Sequence, residues 1–187
     1  MSQDGGEALP EDAAQATGRV ARGGTRVVGV PEQDYRLPDG RRPVAGAVLL
    51  RADGATLLQH RDDIPGISNP GKWSLFGGGL EAGESVTDGL LRELHEEIGV
   101  TPTRFRPLVV LEGARTLFHL YLARFELPLT ELVLGEGQGM AYVDLDVALG
   151  EYDLAPVART GLEITRSLLA MRRAQGLPTP FDDWGPG

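Results

Sequence analysis

The chain has 187 residues, 41% of them apolar and none of them cysteine. That is enough for one ordinary core in a single domain, and it excludes a disulfide framework, a Cys-ligated zinc site and a catalytic thiol together. The formal charge of −9 argues against a duplex nucleic acid partner, which needs a basic surface. It leaves an anionic small substrate open, because bound divalent cations reverse the local sign.

Residues 1–26 are rich in Gly, Ala, Gln and acids without an apolar period, and are expected to form a disordered tail. They lack the apolar stretch of a secretory signal. No apolar run in the chain is long enough for a bilayer, so no membrane partner and a cytoplasmic location are expected. The domain is expected over 27–177, with residues 178–187 as an uninformative tail. The stretch 31–43 is broken by Pro38, Asp39-Gly40 and Pro43 and reads as a linker or edge segment. Regular structure is expected to begin near Val44, with a buried strand over 44–51. Asp53-Gly54 is a turn signal, and a strand over 56–61 completes a hairpin. Residues 62–72 read as a loop, 73–76 as a short strand ending at the glycine run Gly77-Gly78-Gly79.

A helix is predicted over 86–98. Ser85 is its N-cap with Asp88 in an Asp variant of the capping box, and Gly99 stops it ahead of Pro102. Strands follow over 106–112 and 116–126. In the second, Leu120, Leu122 and Phe118 take one face, and His119, Tyr121 and Ala123 the other. A short strand covers 140–144. Pro156 suits the first turn of a last helix running to Gln175, ended by Gly176 and Pro178. Strands, helix, strands, helix suggests an α/β fold with a mixed sheet between helices.

The chemistry concentrates in Arg92-Glu93-Leu94-His95-Glu96-Glu97. On a helical wheel the apolar stripe holds Val86, Leu90, Leu91, Leu94 and Ile98, and Glu93 and Glu97 fall at its edge, with Glu96 further out. An i, i+4 pair of like charges repels, and partial burial of unpartnered charge costs more. A hard divalent cation held by carboxylate oxygens removes both penalties, and magnesium or manganese suits such ligands. Taken alone, such a run is most often a solvated acidic face; its place against the apolar stripe, after a glycine-rich loop, favours the metal. Glu84 sits where a carboxylate suits the helix dipole. Arg92 is placed to pair with Glu84 or Glu93 and hold the ligands, or else to form a surface salt bridge of little worth.

The span 78–100 resembles the Nudix box: Gly78, Glu84, Arg92, Glu93, Leu94, Glu96, Glu97, Gly99 and Val100 stand at every fixed position of that pattern. The resemblance implies an α/β/α sandwich with a mixed β-sheet and a loop–helix–loop metal site for Mg²⁺ or Mn²⁺. It implies Glu93, Glu96 and Glu97 as metal ligands and Glu84 as a ligand or supporting carboxylate. The glycine run would let the backbone turn tightly there, with Gly78 and Gly79 against the substrate. Gly135-Glu136-Gly137-Gln138 is similar to a Glu-Gly-Gln segment of MutT-type members. That resemblance nominates Glu136 as fifth carboxylate and general base, against the alternative of a loop acid between flexible glycines. Glu96 is the box carboxylate that could serve instead, and Arg92 completes the expected catalytic set. Arg61 matches a phosphate-contacting Arg of several members. Trp73 is a base-stacking candidate, though a core role suits it better, and Lys72, the only lysine, is a phosphate-contact candidate.

The implied reaction is attack of water on a diphosphate linkage in a small-molecule substrate. Subfamily markers are mostly missing. Thr116 stands where many ADP-ribose hydrolases carry Pro, and Phe118 where some dinucleoside-polyphosphate hydrolases carry Tyr. The stretch Asp153-Leu154-Ala155-Pro156 lacks the Asn of oxidised-nucleotide enzymes. A nucleoside triphosphate or nucleotide sugar is the expected substrate, with a prenyl or other non-nucleotide diphosphate, or a non-catalytic ligand sensor, as alternatives. The related isomerases use a Cys that this chain lacks. A homodimer is common in the family and is allowed here.

Overall fold

The computed structural model describes residues 36–181; the expected N-terminal tail lies outside them. Strand β1 (Arg42–Leu50) runs parallel to β6 (Thr116–Arg124) along its whole length, and β6 pairs antiparallel with β5 (Phe105–Glu112). On the other side, β1 and β2 (Ala55–His60) form the expected hairpin but share only the pairs Leu49–Leu57 and Leu50–Thr56 before separating. The segment β3 (Trp73–Ser74) and β4 (Phe76–Gly79) enters that gap. Its first half pairs with β2 and its second half with β1. Strand β7 (Gly139–Asp144) closes the outer side of β2.

The alternation of β1 sorts the core into two layers. Ala45, Ala47 and Leu49 face helix α1 (Val86–Ile98) and pack with its buried Leu90, Leu94 and Ile98. Val48 and Leu50 face the opposite way, with Leu120 and Leu122, against α2 (Leu145–Glu151) and α3 (Pro156–Ala174). A mixed sheet with helices on both faces is the α/β/α sandwich that the sequence implied. Side chains alternate across a strand with period two, so both faces of a sheet covered on each side must be apolar. Phe181, beyond α3, joins the second layer at 4% exposure.

Three expectations are corrected. Pro43 does not break structure; it lies near the start of β1, where a residue without an N–H is tolerated, and its carbonyl accepts from Leu80 N–H (3.0 Å). The glycine run is a paired strand rather than a turn. Gly77 (φ 129°) needs no Cβ because one would land on the Ala45 carbonyl of β1. Helix α2, unforeseen, is capped by Asp144, whose Oδ1 accepts from the N–H groups of Asp146 (2.9 Å) and Val147 (3.2 Å).

Candidate active site

Helix α1 starts and stops as its sequence dictates. The Ser85 hydroxyl accepts from Asp88 N–H (3.1 Å) and donates to the Asp88 carboxylate (2.7 Å). Gly99 ends the helix at φ 77°. The wheel places Glu93 and Glu97 beside the apolar stripe, and both are buried, at 9% and 5% exposure, while Glu96 is exposed.

Arg92 organises one half of the acid group. Its Nε and Nη2 donate to the two oxygens of Glu84 (2.9 and 3.1 Å), its Nη1 to Glu93 (2.9 Å) and Glu96 (3.3 Å), and its Nη2 also to the Gly79 carbonyl (2.9 Å). The two parallel bonds to Glu84 are the strong bidentate geometry, and this guanidinium holds the Glu84 carboxyl below its usual range. The Arg92 guanidinium is in turn held more firmly protonated, chiefly by Glu84.

Glu97 organises the other half. Its Oε2 accepts from Gly77 N–H (2.7 Å) and its Oε1 from Gln59 Nε2 (3.3 Å). Those bonds favour the charged form, but burial outweighs them. Together with the charges of Glu93 and Glu136 it pushes the Glu97 carboxyl up to about 8. A Cβ on Gly78 would fall on the Glu93 carboxylate, so only glycine leaves that carboxylate its place against β4.

The loop carrying Glu136 is fastened to the end of α1 and to β2 by its backbone. Val133 N–H donates to Ile98 O (3.1 Å), Gly135 N–H to Glu97 O (2.7 Å) and Gln138 N–H to His60 O (2.8 Å). The side chain of Gln138 donates to Arg61 O (2.7 Å). Glu136 is exposed, and its charge reaches Glu97.

Glu84, Glu93, Glu96, Glu97 and Glu136 are therefore brought to one region and offer only hard carboxylate oxygens. Among the described residues Arg92 bonds three of them, Glu84, Glu93 and Glu96. No group of three acidic or imidazole side chains lies close enough together to hold a metal ion among the described residues; Glu84, Glu93 and Glu96 are spread around the guanidinium instead. In charge and donor type the set fits Mg²⁺ or Mn²⁺. Burial does most to raise Glu97; the charges of Glu93 and Glu136, which add to it, are what a bound divalent cation would offset.

Of the remaining sequence candidates, Arg61 and Lys72 stand at the two ends of the 62–72 loop, where Arg61 N–H donates to Lys72 O (3.0 Å), and Trp73 opens β3. Arg61 Nε donates to Ser68 O (2.8 Å), and Lys72 Nζ pairs with Asp153 (2.6 Å). Trp73 stacks on His60 (centroids 4.8 Å apart, 11°), meets Tyr152 edge-on (5.2 Å) and packs on the α2/α3 layer. A cleft of about 440 Å³ lined by residues such as Thr103, Arg104, Arg124 and Leu127 includes none of these side chains. Sequence reasoning missed Gln59. The signal was present: a lone amide after the apolar pair Leu57-Leu58.

Residues 40–160 match the family profile described as NUDIX domain. The chain is 34% identical over 134 residues to the nucleoside triphosphatase NudI of Escherichia fergusonii, an alignment covering 62% of this chain and 91% of that protein. A 70-residue stretch is 47% identical to the protein of the same name from Escherichia coli O139:H28, covering 36% of this chain and 49% of that one. The solution structure of the E. coli ORF135 protein is similar at TM-score 0.58 and 30% identity, over 75% of this chain and 99% of that one.

Proposed function

The chain belongs to the NUDIX family and is a pyrophosphohydrolase of that family; from that premise we propose that it hydrolyses a phosphoanhydride bond of a nucleoside triphosphate with Mg²⁺ or Mn²⁺. The observation that carries this reading is the pairing of buried Glu93 and Glu97 with the fastened Glu136 loop, around one committed arginine. The similarity to a nucleoside triphosphatase over most of that protein's length supports the substrate class.

In this reading Glu93, Glu96, Glu97 and Glu136 hold the cation, with Glu84 in support. When bound, the cation supplies positive charge that offsets the diphosphate and eases deprotonation of the attacking water. Arg92 keeps Glu84 and Glu93 in place, and Gly77 N–H fixes the direction of Glu97. Glu136, exposed at the edge of the cluster, accepts the proton from the attacking water. Arg61 and Lys72, at the two ends of the 62–72 loop, are the candidates for contact with the substrate's phosphates. The absence of cysteine suits a cytoplasmic location. Among the described residues no helix is long and apolar enough to cross a membrane.

The test is a substrate panel with the full chain: nucleoside triphosphates, nucleotide sugars, ADP-ribose, dinucleoside polyphosphates and prenyl diphosphates, with Mg²⁺ and with chelator. Products are identified by phosphorus NMR. Nucleoside monophosphate plus pyrophosphate, formed only with the cation, is the expected result. Turnover confined to nucleotide sugars or prenyl diphosphates would overturn the substrate class, and no turnover on any compound would favour a ligand sensor.

A further inference from the structure

Gln59 is buried at 2% exposure in the middle of the sheet, flanked by Ser74 on β3 and Met140 on β7. It lies two residues from Leu57, on the face of β2 that looks toward α1. Its Nε2 donates to Glu97 Oε1 (3.3 Å) and to the Glu136 carbonyl (3.2 Å). Its Oε1 is buried and accepts no hydrogen bond among the described residues.

The orientation of this amide follows from its neighbours. Turned over, it would set its oxygen against the Glu136 carbonyl and, with Glu97 charged, against a carboxylate, both acceptors. As it stands, both N–H bonds are used and the oxygen is left unpaired. A buried acceptor without a donor costs about 1–3 kcal/mol, so an apolar side chain would suit this strand position better unless the amide nitrogen is needed. Gly137, at φ 88°, sets its Cα against the Gln59 stem, where an added Cβ would stand 3.2 Å from Cγ.

We infer that Gln59 is a positioning residue, one NH₂ group that ties the Glu97 carboxylate to the Glu136 carbonyl and so directs that carboxylate within the spacing set by the loop's backbone bonds. The inference rests on the cation reading of the cluster. Gln59 touches neither substrate nor reacting atoms; it acts through Glu97, whose other oxygen Gly77 holds. With both oxygens of Glu97 directed by a fixed donor, the carboxylate presents its remaining lone pairs in one direction. Groups that hold a ligand in this way are typically worth about 10–100-fold in metal affinity or activity.

The test replaces Gln59 by Met, which keeps length and bulk but removes the donor. Mn²⁺ binding to the full chain is measured by electron paramagnetic resonance without substrate, alongside kcat and KM. For Gln59→Met the Mn²⁺ dissociation constant should rise about 10–100-fold. Turnover should fall by a similar factor, about 10–100-fold, with KM changed little. If the unsubstituted chain binds Mn²⁺ and Gln59→Met binds it equally well, the inference fails while the cation reading stands. If the unsubstituted chain binds no Mn²⁺, both fail. Should Gln59→Met not fold, the side-chain NH₂ signals of Gln59 in the unsubstituted, nitrogen-15-labelled protein decide. They should shift on saturation with Mg²⁺, and unmoved signals would overturn the assignment.

Discussion

The backbone N–H of Gly77 donates to the buried carboxylate of Glu97 across 2.7 Å, joining the strand wedged into the sheet to the acidic helix. That bond favours a charged Glu97, yet burial and the neighbouring Glu93 and Glu136 push the group the other way, up to about 8. The folded pKa lies above the ordinary 4.5, so between those values the folded state binds more protons than the unfolded chain, and stability falls as pH rises. Thermal unfolding of the chelator-treated protein should show its midpoint dropping from pH 5 to pH 8, and Glu97→Gln should flatten that drop. An unchanged slope in Glu97→Gln would remove Glu97 as its origin.

Arg92 holds Glu84 through two parallel bonds. Replacing it by Ala removes the Arg92 bonds of two largely buried carboxylates, at a cost of about 1–3 kcal/mol at neutral pH. The Glu84 carboxyl is held below its usual range, so this contribution is present above about pH 4.5 and is lost as pH falls through the lower, folded value. Urea unfolding of both proteins should show the gap closing in acid. Arg92→Lys should recover only part of the loss, since a point charge cannot make the fork.

Adjacent glycines should fail differently. Gly77→Ala forces a side chain onto φ 129° and the Ala45 carbonyl, and should lower stability by about 1–3 kcal/mol or more. Gly78→Ala puts a methyl where the Glu93 carboxylate lies. Because the far end of a side chain can move, its larger effect should be on Mn²⁺ affinity and turnover, by about tenfold or more. Calorimetry and metal titration of the two variants separate these outcomes; equal effects in both would refute the distinction.

Glu136→Gln should lower kcat about 100-fold or more, the usual contribution of a positioned base, with KM held near its original value. The loop is fastened by backbone groups of Val133, Gly135 and Gln138, so the substitution should leave the melting temperature close to that of the parent. A near-normal kcat would move the proton to a box carboxylate, with Glu96 the next variant to make.

Helix α1 was legible because its ends are spelled in the sequence by Ser85, Asp88 and Gly99, and its interior repeats with helical period. The same period gave the burial of Glu93 and Glu97. The wedge segment was legible as a strand over 73–76, but not its continuation through the glycines or its change of partner. A run of glycines carries no alternation of side chains, and its pairing depends on β1, far away in the chain. Helix α2 is one short capped segment whose stability comes from Ala148 and Leu149 packing under α3, a tertiary cause that local pattern does not display. Gln59 went unread because its two partners lie 38 and 77 residues along.

The segment Trp73–Gly79 changes partners at Leu75, from β2 to β1. It therefore behaves as a ruler with the aromatic trio of His60, Trp73 and Tyr152 at one end and the carboxylate-facing glycines at the other. One residue added or deleted within it would throw both ends out of phase at once, whereas the loop over 62–72, closed at its base by the Arg61–Lys72 and Asp62–Gly71 backbone bonds, can change length at its tip. Relatives of this chain are thus expected to diversify by lengthening that loop while keeping the ruler's count intact.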